Sequence, residues 1–238
     1  MDWIYRELSG VLLPEQTKVG SDDLLAINSL PNPPLTPVTP GDIYVRRCRL
    51  AGDAVDAGFG CFRTEDLPRL LELVQGAPAL IGHRRDTLGV ARFFGGVRWR
   101  DPGSGITYIV PKFYWMRAHS AAEDLRINID GGIYSEASIG FTFRRPTCSV
   151  CSDDIRRCQH IPGATDKNQT CFFYYDEILR VTEGSFVYRG AEPGTGFMLA
   201  EPDVRRGESQ LWRTLPRFRW NGGWFRGVPE KLFNINEE

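Results

Sequence analysis

The sequence predicts an α+β protein, mainly an antiparallel β-barrel or sheet with a few flanking helices and a small zinc-binding insertion. Three observations carry that expectation. Aromatic residues make up 12% of the 238 residues and stand beside 25 Gly and 16 Pro, a balance that favours strands joined by tight turns. Residues 136–143 alternate strictly, with Ala137, Ile139, Phe141 and Phe143 on one face and Glu136, Ser138, Gly140 and Thr142 on the other. Four of the six cysteines fall between Cys148 and Cys171, a clustering that points to a metal and not to a disulfide framework.

Composition narrows the function classes. Hydrophobic residues at 42% and charged residues at 25% suit a chain with a real core. Lys and Arg number 29 against 30 Asp and Glu, so no global positive excess advertises nucleic acid or an acidic membrane surface. No apolar run approaches the roughly 20 residues that a membrane helix needs. The opening residues MDWIYRELSG lack the basic region and apolar core of a signal peptide, so the protein is expected to work where it is made, without a membrane partner.

Along the chain, residues 1–40 read as an N-terminal arm and linker, because Pro31, Pro33, Pro34, Pro37 and Pro40 crowd ten residues. The arm becomes part of the core only if it docks back through its short apolar pieces. A strand over 43–50 follows, closed by Gly52-Asp53. Thr64 reads as an N-cap, with Leu67, Leu70, Leu71 and Val74 at helical spacing and Gly76 past the end. Strands are expected over 88–94, 97–100 and 106–115, separated by the turns Gly95-Gly96 and Asp101-Pro102-Gly103-Ser104-Gly105. Ser120-Ala121-Ala122-Glu123 has the form of a capping box, opening a helix through Leu125, Ile127 and Ile129 that Gly131-Gly132 stops. After 136–143, strand pattern resumes at 171–181 and 184–188, and no internal repeat is present. The expected domains are the arm (1–40), a β domain (41–199) with a knuckle at 146–163, and an Arg/Trp-rich segment (200–238).

Cys148-Ser149-Val150-Cys151 is a CxxC, and Cys158-Gln159-His160 supplies a cysteine and a histidine one residue apart. Three thiolates and an imidazole close a tetrahedral shell, the pattern of structural zinc, with no position left to activate water. An all-cysteine site in which Cys171 replaces His160 is the alternative. Cys48 and Cys61, outside the cluster, read as buried small hydrophobes.

His160 being taken by the knuckle, His83 and His119 remain. His83 follows the first helix; Ser138-Ile139-Gly140-Phe141 lies on the alternating strand after the Gly131-Gly132 stop; Glu183-Gly184-Ser185-Phe186-Val187 lies on a later strand. These strings, in this order over about residues 43–196, resemble the prohead protease family of tailed phages, which is similar in fold to the herpesvirus assemblin proteases. The family usually carries a β-branched or apolar residue where Gly184 stands, and the knuckle interrupts the span between its Ser and Glu strands. The resemblance implies a Ser-His-Glu serine endopeptidase with Ser138 as nucleophile, His83 as general base and Glu183 orienting the imidazole. Backbone N–H groups near Ser138, or an arginine such as Arg144, would stabilise the oxyanion. It implies virion morphogenesis: cleavage of scaffold and capsid precursors in an oligomeric assembly, in the host cytoplasm and then the prohead or virion. The alternative is a non-catalytic structural virion component that keeps the fold and docks to capsid, portal or tail proteins.

Between Arg205 and Arg226 the chain carries Arg205, Arg206, Arg213, Arg217, Arg219 and Arg226 against the single acid Glu208, interleaved with Trp212, Phe218, Trp220, Trp224 and Phe225. Arg beside Trp suits a protein interface or nucleobase stacking, and a tail wrapping the domain is the bland reading.

Overall fold

The computed structural model describes residues 4–13, 19–86, 89–166, 169–187, 217–220 and 223–226. It divides the chain into two units, residues 1–101 with 105–201, and residues 102–104 with 202–238. In chain order the first unit contains β1 (Ile4–Leu13), α1 (Ser21–Asn28), β2 (Ile43–Arg49), β3 (Ala51–Gly52), β4 (Gly60–Cys61), a 3-10 turn (Thr64–Asp66), α2 (Leu67–Leu73), β5 (Pro78–Ile81) and β6 (Ala91–Arg100). It continues with β7 (Thr107–Met116), α3 (Ala122–Asp130), β8 (Glu136–Cys148), the short β9 (Thr165–Asp166) and β10 (Gln169–Thr170), and β11 (Phe173–Val187). The second unit holds a hairpin of β12 (Arg217–Trp220) and β13 (Gly223–Arg226), with Phe218 opposite Phe225 in register. The two strands are separated in sequence by Asn221-Gly222, a pair that favours tight hairpins. Arg205, Arg206, Glu208, Trp212 and Arg213 lie outside the described residues.

The architecture is α+β around one mixed nine-stranded sheet, ordered β2-β1-β8-β11-β5-β6-β7-β3, with β4 on β11 and β2 also paired to β7. The expected barrel or sheet was to be mainly antiparallel. Most pairings are, but the sheet is mixed, because β4 and β5 both run parallel to β11. The cause is a helical detour. The chain follows one edge of β11 from Gly60, leaves it for α2, and rejoins it at Ala79 without reversing direction; a helix between strands allows that, whereas a tight turn does not.

Residues 1–40, expected as an arm, contribute to this body. β1 lies between β2 and β8, with Ser9 opposite Ser138 in register. α1 buries Ile27 against Leu30, Val38, Ile43, Val45, Phe94 and Tyr114, and Asp23 bridges Lys112 at 2.6 Å. The main core occupies the other face of β6 and β7, where α2 (Leu67, Leu70) and α3 (Leu125, Ile129) cover Phe93, Phe113, Trp115, Ile139, Phe141 and Phe186.

Three local expectations change. Gly95-Gly96 is a bulge inside a continuous β6, not a turn: the register to β7 shifts between Phe94 and Val97, and a Cβ on Gly96 would lie 2.5 Å from the Pro111 backbone. The capping box does not form. His119 Nδ1 accepts the Ala121 N–H, while Glu123 is drawn off by the Tyr44 hydroxyl and by Arg126. The two late strands are one, β11, with register shifts between Ile178 and Arg180 and between Val181 and Glu183.

Gly184 has a packing reason. A Cβ there would meet the Phe93 ring at 2.4 Å, so that ring fills the volume a larger residue would take. Gly184→Ala is expected to lose about 1–3 kcal/mol of stability through overpacking, read by urea denaturation.

Candidate functional site

The second shift in β11 decides which side chains share a face. Strict alternation would put Val181 and Glu183 on the same side of the sheet. Val181 pairs with Phe141 on the core side, but the extra residue Thr182, whose hydroxyl donates to the Gly140 carbonyl, reverses the parity. Glu183 then stands opposite Gly140 and Ser185 opposite Ser138, on the side away from Ile139 and Phe141. Ser138 and Ser185 are direct antiparallel partners, with Cα atoms about 4.5–5.5 Å apart and side chains on one face.

β5 brings His83 to the same place. Leu80 and Ile81 pair in parallel with Ser185 and Phe186, and Gly82 donates its N–H to the Phe186 carbonyl at 3.0 Å. His83, the next residue, takes a left-handed backbone conformation (φ 58°), uncommon for a residue with a side chain. Its ring Nδ1 lies 2.8 Å from Glu183 Oε1. Glu183 is 2% exposed and, as a carboxylate, only accepts hydrogen bonds, so Nδ1 carries a proton, and in the neutral imidazole Nε2 is the nitrogen with the free lone pair. The other carboxylate oxygen, Oε2, accepts the Ser185 hydroxyl at 2.8 Å, and Ser185 Oγ accepts the His83 backbone N–H at 3.0 Å.

The structure thus joins two of the three expected catalytic residues directly, His83 and Glu183, and places the third, Ser138, one strand over on their face. Ser138 is buried, at 4% exposure. Arg144 does not serve as the oxyanion donor: it lies six residues along β8 from Ser138, about 20 Å at strand rise, is exposed, and faces Glu177 at 3.9 Å. His119 takes its capping role before α3. Ser185 was part of the Glu-x-Ser string but had no assigned role. The available signal was its spacing of two from Glu183, which sets both on one face of a strand.

The second cluster lies in the connection from β8 to β11. Ligand atoms of Cys148, Cys151, Cys158 and His160 all fall within 4.8 Å of one another, close to the edge of about 3.8 Å expected for sulfur ligands around a tetrahedral ion. The turn is built for thiolates. Val150 N–H points at Cys148 Sγ at 3.4 Å, Ser152 N–H closes on the Cys148 carbonyl at 3.0 Å, and Ser152 takes φ 63°. Burial acts to raise the Cys148 thiol, but hydrogen bonds from the backbone of Cys151 and Val150 outweigh it and hold the group below its ordinary range. His160 Nδ1 is buried with no hydrogen-bond partner among the described residues, which fits a nitrogen available to a metal. The residues fit a metal, which Cys148, Cys151, Cys158 and His160 can hold.

Cys171 stands just before β11 with its sulfur 4.0 Å from Cys148 Sγ, outside that four-membered set. Burial and the neighbouring Cys148 push its thiol up to about 11. Cys48 and Cys61 are buried away from the cluster, and burial pushes the Cys48 thiol far up.

The two clusters are separate. Cys148 is ten residues along β8 from Ser138, about 33 Å at strand rise, so an ion held there would lie in the connection, away from the His83-Glu183 pair. No helix among the described residues is long and apolar enough to cross a membrane. No protein-family model, curated protein or solved structure matches the chain.

Proposed function

We propose that the chain is a serine endopeptidase of phage virion morphogenesis, with Ser138 as nucleophile, His83 as general base, Glu183 as its orienting carboxylate and a structural zinc in the knuckle. The observation that carries the reading is the buried Glu183 carboxylate holding His83 Nδ1 on the face that bears Ser138. Oriented this way, Nε2 takes the Ser138 proton as Oγ attacks a peptide carbonyl, and returns it to the leaving amine as the C–N bond breaks; water then hydrolyses the acyl-enzyme by the same route. The substrates are scaffold and capsid precursor chains in an oligomeric assembly, met in the host cytoplasm and inside the prohead. The C-terminal Arg/Trp segment offers a further contact to capsid, portal or packaged nucleic acid.

The burial of Ser138 favours a second reading, in which the fold is a non-catalytic virion component docking to capsid, portal or tail proteins. Intact mass of wild type and Ser138→Ala, followed over time with capsid and scaffold precursors present and zinc quantified, separates the two. The protease reading expects time-dependent cleavage that Ser138→Ala loses. Stable masses throughout, with metal retained, leave the structural component.

A further inference from the structure

Two unusual features meet at one hydroxyl. His83 adopts a left-handed backbone conformation that its Cβ disfavours, and such a conformation persists only where neighbours over-determine it. A carboxylate with 2% exposure must have its lone pairs satisfied. Ser185 answers both: its Oγ accepts the His83 backbone N–H at 3.0 Å and donates its proton to Glu183 Oε2 at 2.8 Å. Its side chain is fully buried on β11, between Gly184 against Phe93 and Phe186 in the core, so the bond to Glu183 is closed to solvent while the bond from the half-buried His83 is partly shielded.

The result is a closed loop of contacts. It runs from the His83 main chain to Ser185 Oγ, on to Glu183 Oε2, across the carboxylate to Oε1, and back to the His83 ring. One hydroxyl therefore fixes the base at two points, its backbone and, through Glu183, its imidazole. The Thr182 bulge is what lets Glu183 and Ser185 share this face with Ser138.

We infer that Ser185 is the positioning residue of this site, holding the His83-Glu183 pair in its tautomer and orientation without touching substrate. The inference rests on the proposed protease function for its kinetic consequence, but its structural content stands on the dyad alone. The full chain labelled at histidine gives two independent readouts. Wild type should show a downfield, slowly exchanging Nδ1–H proton for His83, identified by its disappearance in His83→Gln. In Ser185→Ala that proton should exchange about 10–100-fold faster, with a similar fall in kcat and little change in KM on a precursor substrate. Ser185→Thr, which restores the hydroxyl, should recover both. If Ser185→Ala does not fold, Ser185→Cys, which keeps a side chain there but weakens the hydrogen bonds, takes its place in the same comparison. An Nδ1–H signal and kcat equal to wild type in a folded Ser185→Ala protein overturn the inference. A wild type that cuts nothing overturns the protease reading instead, and the Nδ1–H exchange rate still decides Ser185.

Discussion

Cys151→Ser is expected to lose its bound metal and to loosen the whole β8–β11 connection, while Cys171→Ser keeps both. In the proposed site of Cys148, Cys151, Cys158 and His160, each side chain would be one of four ligands, and a structural zinc there would carry about 10–16 kcal/mol of apparent binding free energy. Removing one thiolate takes away on the order of a quarter of that, ~3 kcal/mol, or about a hundredfold in affinity. Metal per chain by elemental analysis after dialysis reads the first effect, and protease nicking between residues 149 and 172 reads the second. Cys171 is the control because the geometry leaves it beside the four-membered set, its sulfur 4.0 Å from Cys148 Sγ. The opposite pattern, with metal lost in Cys171→Ser and kept in His160→Ala, would assign the all-cysteine shell. Acidification should release the ion, because protons compete for every ligand. The main sheet should survive, since its core residues lie elsewhere.

How far the sequence discloses this molecule depends on whether a signal is local. The alternation over residues 136–143 reads directly as β8, and the CxxC with CxH reads directly as the metal set, because each is written within a few residues. β1 was not legible: Ile4–Leu13 has no sustained period, and it is a strand because β8 and β2 supply partners more than 30 residues away. The parallel placement of β4 and β5 depends on where α2 packs, which no period encodes. The same holds for the bulge at Thr182. Read with simple alternation, β11 would set Glu183 with Val181 on the core side; only the pairing to β8 reveals the extra residue that turns it toward His83. Competing partners decide the rest, as with Glu123, which bonds the distant Tyr44 and the i+3 Arg126 of its own helix instead of capping α3.

That turned carboxylate makes the second large effect a graded one. In the protease reading, His83→Ala should lower kcat/KM on a precursor substrate about 10⁶-fold, close to the loss from Ser138→Ala, since base and nucleophile act as a unit. At about 1.4 kcal/mol per decade this is ~8 kcal/mol of transition-state stabilisation. Combining both substitutions should add almost nothing. Glu183→Gln should do less, about 10⁴-fold, because it keeps the shape of the site and removes only the charge and the acceptor that fix Nδ1–H. The amide can also present its NH₂ group to Nδ1, which favours the other tautomer and leaves Nε2 carrying the proton it is meant to accept. Equal losses for Glu183→Gln and His83→Ala would mean that Glu183 takes a direct part in the proton transfer. No loss would mean that the His83 backbone, held by Ser185, orients the ring by itself. In the structural reading the same buried pair instead secures the turn after β5, and Glu183→Gln should then lower the unfolding midpoint with no cleavage to lose.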